Sequence, residues 1–389
     1  MDDVVILGAA RTPVGAFGGK LASVPATRLG SVAAAEALRR AGVEPGRVDE
    51  TIFGNVLSAG LGQAPARQVA LGVGVPAAAG ALTVNKVCGS GLMAVILAAN
   101  RIRAGDAEIV LAGGMESMSR APFLLDRACA ARPGHRCLLD SILVDGLVDP
   151  YSGRSMGECG EACAARFGFS REAQDDYAIQ SFRRARAAQA EGRFKREIVP
   201  VIGPNGEGTL LEEDEGPQRF DPEKLRRLKP AFRPQGTITA GNAPSLNDGG
   251  AAVVVASSRR AAALGLTPLA RIAASAGAAL EPEWFTIAPI QALRRLSGKA
   301  GWPLESVELF EINEAFAVVA MAAIQDLGLD PARVNVNGGS VALGHPIGAT
   351  GARLLVALLG AVHERGARRG AIGICLGGGE ALALAVERA

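Results

Sequence analysis

The first part of the chain alternates short apolar runs with longer runs that mix apolar and polar residues. Residues 4–10, 48–57, 81–87 and 107–114 have the length and composition of buried strands. Residues 28–42, 66–74 and 91–105 have helical character, and the last of these runs is apolar nearly all round, as a buried helix is. This alternation predicts an α/β fold with a largely parallel, buried sheet.

The C-terminal third repeats this pattern. GVEPGRVDETIFGNV is similar to GWPLESVELFEINEAF, VNKVCGSGL to VNVNGGSVALG, and AEIVLAGGMES to GAIGICLGGGEA. The spacing also agrees, because Asn55 lies 33 residues before Cys88 and Asn313 lies 32 residues before His345. Chance similarity between alanine- and glycine-rich stretches is the alternative, but it does not explain the shared order. The sequence predicts two copies of one α/β unit, packed as pseudo-symmetric halves.

A segment of different composition separates the two halves. Residues 115–240 are rich in proline and charge and include the acidic run EEDE. One charged helix is predicted over residues 170–192, with Ser170 as its N-cap and Gly192 as its stop. Residues 239–257 return to strand character, and we expect them to rejoin the first half. The segment between is an insertion on a scaffold, and such insertions commonly hold a ligand.

Composition and charge argue against several classes of protein. The 389 residues carry 41 basic and 39 acidic side chains, and the basic ones are scattered, so nucleic-acid binding is not indicated. The N-terminal run begins with acids and is too short for a signal peptide, and no stretch comes close to a membrane span. Six cysteines and three separated histidines fit neither a disulfide scaffold nor a metal site. We expect a reduced, cytoplasmic protein.

Cys88 lies between a predicted strand and the apolar helix, in VNKVCGSGLMAV. At such a turn the N–H groups of the first helical turn and the helix dipole favour negative charge, so we expect the thiolate of Cys88 to be stabilised. Gly89 and Gly91 leave space for a substrate. The pattern favours an activated nucleophile, and a buried structural cysteine is the alternative.

Three further residues are candidate partners of this thiol. His345 lies in the glycine-rich run GGSVALGHPIGATG before a second apolar helix, whereas His135 and His363 have the surroundings of surface residues. Cys375 ends an apolar strand before three glycines, where a thiol can act as a general acid or base and the glycine amides can form an oxyanion hole. Asn313 ends another strand, in FEINEAF. A structural histidine and ordinary turns are the alternatives.

VNKVCGSG, NEAF, GGSVALGHPIGATG and CLGGG, in this order, resemble the signatures of the thiolase family. GGMESMS and AGNAPSLNDGGAA match its other signatures, and the resemblance covers essentially the whole chain. It implies a thiolase fold, with duplicated βαβαβαββ halves in a five-layered αβαβα core and an inserted loop domain. The first half would span residues 1–117 and be completed by about 241–266, the loop domain that holds CoA would span 118–240, and the second half 267–389.

Within the family the chain is most similar to the acetoacetyl-CoA thiolases, which implies reversible condensation of two acetyl-CoA to acetoacetyl-CoA and CoA. Cys88 would hold the acyl group as a thioester, and Cys375 would take or return the α-proton. His345 and a water held by Asn313 would stabilise the enolate oxygen, and the backbone amides of Cys88 and Gly377 would form the other oxyanion hole. No metal or redox cofactor is expected, because coenzyme A is a substrate and product.

The resemblance also implies substrate contacts. Residues that fall on the acyl and pantetheine channel, or on the CoA nucleotide in the case of Arg219, are Met156, Arg219, Ser245, Leu246, Ala315 and Phe316. Two departures leave the acyl-chain preference open: Ser155 stands where many acetoacetyl-CoA thiolases have histidine, and Pro244 stands where a serine usually follows GNA.

Three alternatives to this activity remain. A broader or longer-chain 3-ketoacyl-CoA thiolase of fatty-acid degradation is the first. A β-ketoacyl synthase and a non-catalytic acyl-CoA-binding protein are more remote. The expected partners are acyl-CoA and CoA, without nucleic acid or membrane. The family is usually a homotetramer, a dimer of dimers, with residues 123–142 as the place for tetramer contacts, and a homodimer is the other assembly considered.

Overall fold

A computed structural model describes residues 3–127, 135–203 and 208–389 of the chain. Its strands are β1 Val4–Arg11, β2 Gly15–Ala16, β3 Glu50–Gly54, β4 Gly80–Val84, β5 Ile109–Ser117, β6 Phe123–Leu124, β7 Leu139–Asp140, β8 Val201–Ile202, β9 Thr209–Leu211, β10 Asn247–Ser257, β11 Ala270–Ala279, β12 Leu309–Ile312, β13 Arg369–Leu376 and β14 Glu380–Arg388. Its α-helices are α1 Ala26–Ala41, α2 Pro65–Gly72, α3 Ser90–Ala104, α4 Met156–Phe167, α5 Arg171–Ala190, α6 Glu215–Gln218, α7 Pro222–Arg226, α8 Ser258–Ala263, α9 Ala288–Ala300, α10 Ala317–Leu327, α11 Ser340–Leu343 and α12 Ile347–Glu364. The expected contact loop at 123–142 falls partly outside the described residues, because 128–134 are not among them.

The predicted strands and helices of the first half all form, with shifts of a few residues at their ends. The charged helix of the insertion is α5, and its predicted N-cap is confirmed, because the Ser170 hydroxyl accepts a hydrogen bond from the Ala173 N–H at 3.2 Å. The helix ends at Ala190, two residues before Gly192, which has a left-handed φ of 72° that suits glycine and stops the helix.

One sheet of ten strands runs through the molecule in the order β12-β13-β14-β11-β1-β10-β5-β3-β4, with β2 beside β10. The pairs β3–β4, β3–β5 and β12–β13 are parallel, and the other pairs of this sheet are antiparallel. The prediction of a largely parallel sheet is therefore wrong. Helical crossovers make the parallel pairs, but each half ends in a strand that folds back, β10 or β14, and lies antiparallel to its neighbours on both sides.

The two halves share one strand order, which confirms the prediction of a duplicated unit. The series β3-β5-β10-β1 in the first half corresponds to β12-β13-β14-β11 in the second. The two series meet edge to edge where Val5 pairs with Arg271 and Ile6 with Ala270. Where the first half has β4, the second has a single parallel bridge from Phe310 to Val334.

Three layers of helices enclose the two halves of the sheet. Helices α1 and α2 pack on the outer face of the first half, and α9 and α10 cover the outer face of the second. Helices α3 and α12 pack against each other between the halves and fill the largest apolar cluster, which includes Leu92 and Leu355. This is the expected five-layered αβαβα arrangement, and it brings the N-termini of α3 and α12 towards one region.

Two helical windows, Val87–Ala104 and Ile347–Glu364, have the length and apolar composition of a membrane span. The expectation that no stretch comes close to this composition is wrong. The windows correspond to the central helices α3 and α12 and lie mostly inside the protein, as the core helices of a large α/β unit do.

A buried arginine ties the insertion to the core. The Nη1 atom of Arg11, in β1, lies 2.8 Å from Asp214 Oδ1, and its Nε atom lies 2.9 Å from Glu197 Oε2. All three side chains are almost fully buried, and both carboxylates belong to the insertion. Because removing one partner would leave a buried charge unpaired, these contacts fix where the insertion lies on the scaffold.

Candidate active site

Cys88 lies in a tight turn between β4 and α3. Val87 has a φ of 45°, a left-handed conformation that is rare for a β-branched residue. The Ser90 hydroxyl holds the turn, because it donates to the Val87 carbonyl at 2.6 Å and accepts from the Lys86 N–H at 2.8 Å. The strained turn fixes Cys88 two residues before the start of α3 at Ser90, in the strand-to-helix turn that the sequence predicts.

The thiol of Cys88 lies in a cavity of about 230 Å³ that His345 and Gly377 also line, called the central cavity below. Burial raises the pKa of the Cys88 thiol to about 12, although hydrogen bonds from the backbone N–H groups of Gly377 and of Cys88 itself favour the thiolate. The expectation of a stabilised thiolate in the free protein is therefore wrong, because desolvation outweighs the donors at the turn. The resting form is the thiol, and a base must take its proton.

Cys375 and Gly377 come from the other half of the molecule, at the end of β13 and in the turn to β14. Cys375 is fully buried, and burial raises the pKa of its thiol well above the usual value, with the charge on Cys88 as the next cause. A Cβ atom on Gly377 would lie 3.4 Å from Val87 Cγ1 and 3.9 Å from Met156 Sδ. The Gly377 loop thus packs against the Cys88 turn, and the structure brings the two cysteines near each other.

His345 precedes α12 and is 7% exposed. Its Nδ1 atom lies 2.7 Å from Thr350 Oγ1, and the Thr350 hydroxyl donates to the Pro346 carbonyl at 2.8 Å. The hydroxyl has one proton, so it must accept from an Nδ1–H group of His345. Burial, followed by the charge of Arg353, lowers the pKa of His345 to about 3. The ring is therefore neutral, and its Nε2 atom, which has no hydrogen-bond partner among the described residues, is free to accept a proton.

Two residues from the first half hold the backbone on either side of His345. The His345 N–H donates to Asn247 Oδ1 at 2.9 Å, and the Gly348 N–H donates to Glu116 Oε2 at 2.9 Å. Glu116 is fully buried, and burial raises its pKa to about 7. In the sequence, GGMESMS and AGNAPSLNDGGAA are recognisable only as signatures, and nothing in them reveals that both residues position the histidine loop.

Asn313 and Glu314 follow β12 and are fully buried. Oδ1 of Asn313 accepts a hydrogen bond from the Ser340 hydroxyl at 2.7 Å, whereas its Nδ2 atom has no partner in the described part of the chain. Glu314 accepts hydrogen bonds from Tyr177, Ser181, Asn335 and Val341 and so joins α5 to the loop before α11. Asn313 thus keeps an unpaired donor, and Glu314 has a structural role that the sequence did not reveal.

Five of the six expected substrate contacts line the central cavity: Met156, Ser245, Leu246, Ala315 and Phe316. Arg219 does not, because it lines a second cavity of about 220 Å³, the outer cavity, which shares Ala243 and Ser245 with the first. Its side chain is 61% exposed and pairs with Glu215. Lys224 also lines the outer cavity and was missed.

The two departures noted in the sequence also line the central cavity. Ser155 is the N-cap of α4, where its hydroxyl accepts from the Glu158 N–H at 3.4 Å and Glu158 Oε2 accepts from the Ser155 N–H at 2.9 Å. Pro244 lines the cavity from the segment that precedes β10, next to Ser245. Phe232 and Phe285, which the sequence did not single out, complete an apolar wall with Phe316.

Comparisons with known proteins agree with the family resemblance seen in the sequence. Residues 4–259 match the family model for the thiolase N-terminal domain, and residues 266–388 match the one for the thiolase C-terminal domain. The chain is 53% identical to acetyl-CoA acetyltransferase 2 of Arabidopsis thaliana, over 99% of this chain and 97% of that one. It is 51% identical to an acetyl-CoA acetyltransferase of Cupriavidus necator over the full length of both chains. The structure is also similar to a crystal structure of the Acat5 thiolase from Ascaris suum in complex with coenzyme A. The match covers 100% of both chains, with a TM-score of 0.95 and 44% sequence identity.

Proposed function

Since the chain belongs to the thiolase family and is an acyltransferase, we propose that it is an acetyl-CoA C-acetyltransferase, which interconverts two acetyl-CoA with acetoacetyl-CoA and CoA through an acyl thioester on Cys88. The observation that carries the proposal is the meeting of three groups. The Cys88 thiol, the Gly377 N–H and the neutral Nε2 atom of His345 adjoin one cavity, although they come from opposite halves of the fold.

In the thiolysis direction, His345 Nε2 takes the proton of the Cys88 thiol, and the sulfur attacks the 3-keto carbon of acetoacetyl-CoA. The N–H groups of Cys88 and Gly377 stabilise the oxyanion that forms. The bond between the second and third carbons then breaks, which leaves an acetyl group on Cys88 and the enolate of acetyl-CoA. Protonated His345, now with an Nε2–H donor, and the Asn313 Nδ2 donor stabilise the enolate oxygen.

The thiol of Cys375 gives its proton to the enolate carbon, which releases acetyl-CoA and leaves a thiolate. Its burial suits this role, because a raised pKa keeps the proton in place until the enolate forms. CoA then enters and restores the proton on Cys375. The CoA thiolate attacks the acetyl group. The sulfur of Cys88 is the leaving group and regains its proton from His345. Condensation is the reverse sequence.

Substrate and assembly are part of the same proposal. The acyl group and pantetheine arm would lie along Met156, Leu246 and Phe316, with the rest of CoA towards the outer cavity and Arg219. We propose acyl-CoA and CoA as the only partners besides further copies of the chain, in a homotetramer or homodimer, with no metal or cofactor and a cytoplasmic location. The CoA complex of the Ascaris suum relative supports the CoA part of this assignment.

The experiment that tests the function is thiolysis by CoA of acetoacetyl-CoA, 3-ketohexanoyl-CoA and 3-ketodecanoyl-CoA. Cleavage of acetoacetyl-CoA alone supports the proposal. Good cleavage of the longer substrates favours the fatty-acid-degrading alternative, for which the apolar wall with Phe232 and Phe285 and the departures at Ser155 and Pro244 are the relevant features. Cleavage of none would contradict both, and carrier-protein substrates would then test the synthase alternative.

A further inference from the structure

Three buried polar side chains form a line from α12 to the end of β12. Arg353, 1% exposed, donates from Nη2 to Ser340 Oγ at 2.7 Å. The Ser340 hydroxyl, fully buried, donates to Asn313 Oδ1 at 2.7 Å. The backbone N–H of Asn313 donates to the Gly373 carbonyl at 2.9 Å, which fixes the main chain of this residue against β13. With the backbone fixed, the side-chain amide of Asn313 can still turn, so that either Oδ1 or Nδ2 faces Ser340.

The chemistry of these groups gives the line one direction. A guanidinium has donors and no acceptor, so Ser340 must accept from Arg353. The hydroxyl then has a single proton to give, and it gives it to Asn313. An amide can receive a proton only on its oxygen, so Oδ1 faces Ser340 and Nδ2 faces the other way. That Nδ2 atom is buried and lacks a partner among the described residues.

We propose that Arg353 is a positioning residue for carbon–carbon bond chemistry: through Ser340 it holds the Asn313 amide with its N–H donor turned towards the enolate oxygen or the water that contacts it. This inference rests on the proposed function, because it takes the role of Asn313 from there. Arg353 itself touches no substrate, and it acts through two hydrogen bonds.

Without Arg353 the direction of the line is lost. The Ser340 hydroxyl could then accept from Nδ2 as readily as it donates to Oδ1, and the amide could turn by half a rotation. The oxygen of Asn313 would face the site, and an acceptor would oppose the negative enolate oxygen where a donor is needed. The donor groups of Arg353 thus set the orientation of an amide that the guanidinium does not contact.

The burial of Arg353 is hard to explain by stability alone. Its Nε and Nη1 atoms, and Oε2 of the neighbouring Glu311, have no hydrogen-bond partner among the described residues. A buried charge that is incompletely paired is costly, and an apolar residue of similar volume is often neutral or stabilising in its place. A role in orienting Ser340 and Asn313 gives a reason for this cost.

The test separates acylation from carbon–carbon chemistry in Arg353→Met, with Arg353→Lys as the matched variant that keeps a charged donor. Acylation is followed by mass spectrometry of Cys88 after mixing with acetyl-CoA, and it uses the Cys88 and Gly377 amides. Enolate formation is followed by exchange of acetyl-CoA α-protons in D₂O and by thiolysis of acetoacetyl-CoA. For Arg353→Met we expect exchange and thiolysis to fall by about 10²-fold, the lower end for loss of one oxyanion donor, with acylation changed by less than about twofold. Arg353→Lys should recover most of the loss.

Two results would overturn the inference. Equal loss of acylation and exchange in Arg353→Met would indicate a purely structural role, and unchanged exchange would show that the amide needs no such support. If Arg353→Met does not fold, Ser340→Ala decides in its place, because it removes the donor to Oδ1 and should give the same selective loss. Asn313→Ala separates the inference about Arg353 from the proposed function. If Asn313→Ala loses exchange but not acylation, while Arg353→Met loses neither, only the inference about Arg353 is contradicted. A wild-type protein that forms no acetyl-Cys88 contradicts the proposed function.

Discussion

At the scale of single residues, one hydroxyl decides which nitrogen of His345 can act as a base. Thr350 accepts from Nδ1–H because its own proton goes to the Pro346 carbonyl, and this leaves Nε2 unprotonated beside the cavity. Thr350→Val removes the acceptor, so the other tautomer becomes accessible and Nε2 can carry the proton instead. We expect kcat/KM for acetoacetyl-CoA thiolysis to fall by about 10²-fold, at the low end of what a general base contributes.

Thr350→Ser is the matched control for this prediction. It keeps the hydroxyl and both hydrogen bonds and introduces no clash. Because substitutions of this kind have small effects, we expect its kcat/KM to stay within about threefold of the wild type. Equal activity of the valine and serine variants would show that the tautomer of His345 is set by something other than Thr350.

The two cysteines should differ in which half of the reaction they serve. Cys88→Ala removes the nucleophile, so no acetyl-enzyme should form and thiolysis should be lost. Cys375→Ala keeps the nucleophile and should still be acetylated by acetyl-CoA, while thiolysis and α-proton exchange fail because no proton donor or acceptor remains there. Intact-protein mass spectrometry and a thiolysis assay measure the two outcomes. Near-normal turnover in Cys88→Ala would contradict the mechanism.

The pKa of the Cys88 thiol, raised to about 12 by burial, predicts how the free enzyme reacts with an alkylating agent. A raised thiol pKa means that the protonated form persists as the pH rises, and only the thiolate reacts. The rate of Cys88 alkylation by iodoacetamide should therefore still be increasing above about pH 8.5, the ordinary thiol value. Peptide mapping against pH measures this rate, with exposed Cys137 as an internal reference. A plateau below that pH would mean that the thiolate is stabilised after all.

At the scale of elements, α4 carries Met156 into the central cavity, and its first turn depends on Ser155. The reciprocal hydrogen bonds between Ser155 and Glu158 satisfy N–H groups that the helix leaves open. We expect Ser155→Ala to lower the free energy of unfolding by about 0.5–2 kcal/mol, whereas Ser155→Asp, another good N-cap, should change it little. Denaturant unfolding measures both, and equal stability of the two variants would show that the cap contributes nothing.

Elements were predictable from sequence where the signal is local. Ser170 as an N-cap, the turn at Cys88 and the alternation of strands and helices each depend on a few consecutive residues. The antiparallel pairing of β10 and β14 could not be predicted, because the sequence of a buried strand is similar whether its neighbours run parallel or antiparallel to it. The direction of the Arg353–Ser340–Asn313 line was also hidden, since its members lie up to 40 residues apart and none has an unusual sequence context.

At the scale of the whole molecule, the candidate site exists only because the two halves are packed together. Cys88 comes from the first half, and His345, Cys375 and Gly377 come from the second. The motifs and their order allowed the sequence to bring these residues into one site before any distance was known. The sequence did not predict that burial would raise the pKa of the Cys88 thiol, because desolvation depends on how tightly the halves close around it.

Near this site the two central helices approach each other closely at two glycines. A Cβ atom on Gly351, in α12, would lie 2.4 Å from the backbone nitrogen of Leu92 in α3, and one on Gly91 would lie 2.8 Å from the backbone nitrogen of Ala352. No side chain can give way there, because the obstacle is the opposite backbone. We expect Gly351→Ala to lower the free energy of unfolding by about 1–3 kcal/mol, as overpacking does.

The same change should also lower activity, because pushing α12 away from α3 separates His345 from Cys88. Gly298→Ala is the control: this glycine lies in α9, is exposed and has open space around a new Cβ, so the change should stabilise the protein by about 0.5–1 kcal/mol and leave thiolysis unchanged. Denaturant unfolding and acetoacetyl-CoA thiolysis are measured on both variants. If Gly351→Ala kept both stability and activity, the two central helices could separate without cost, and the site would not depend on their close packing.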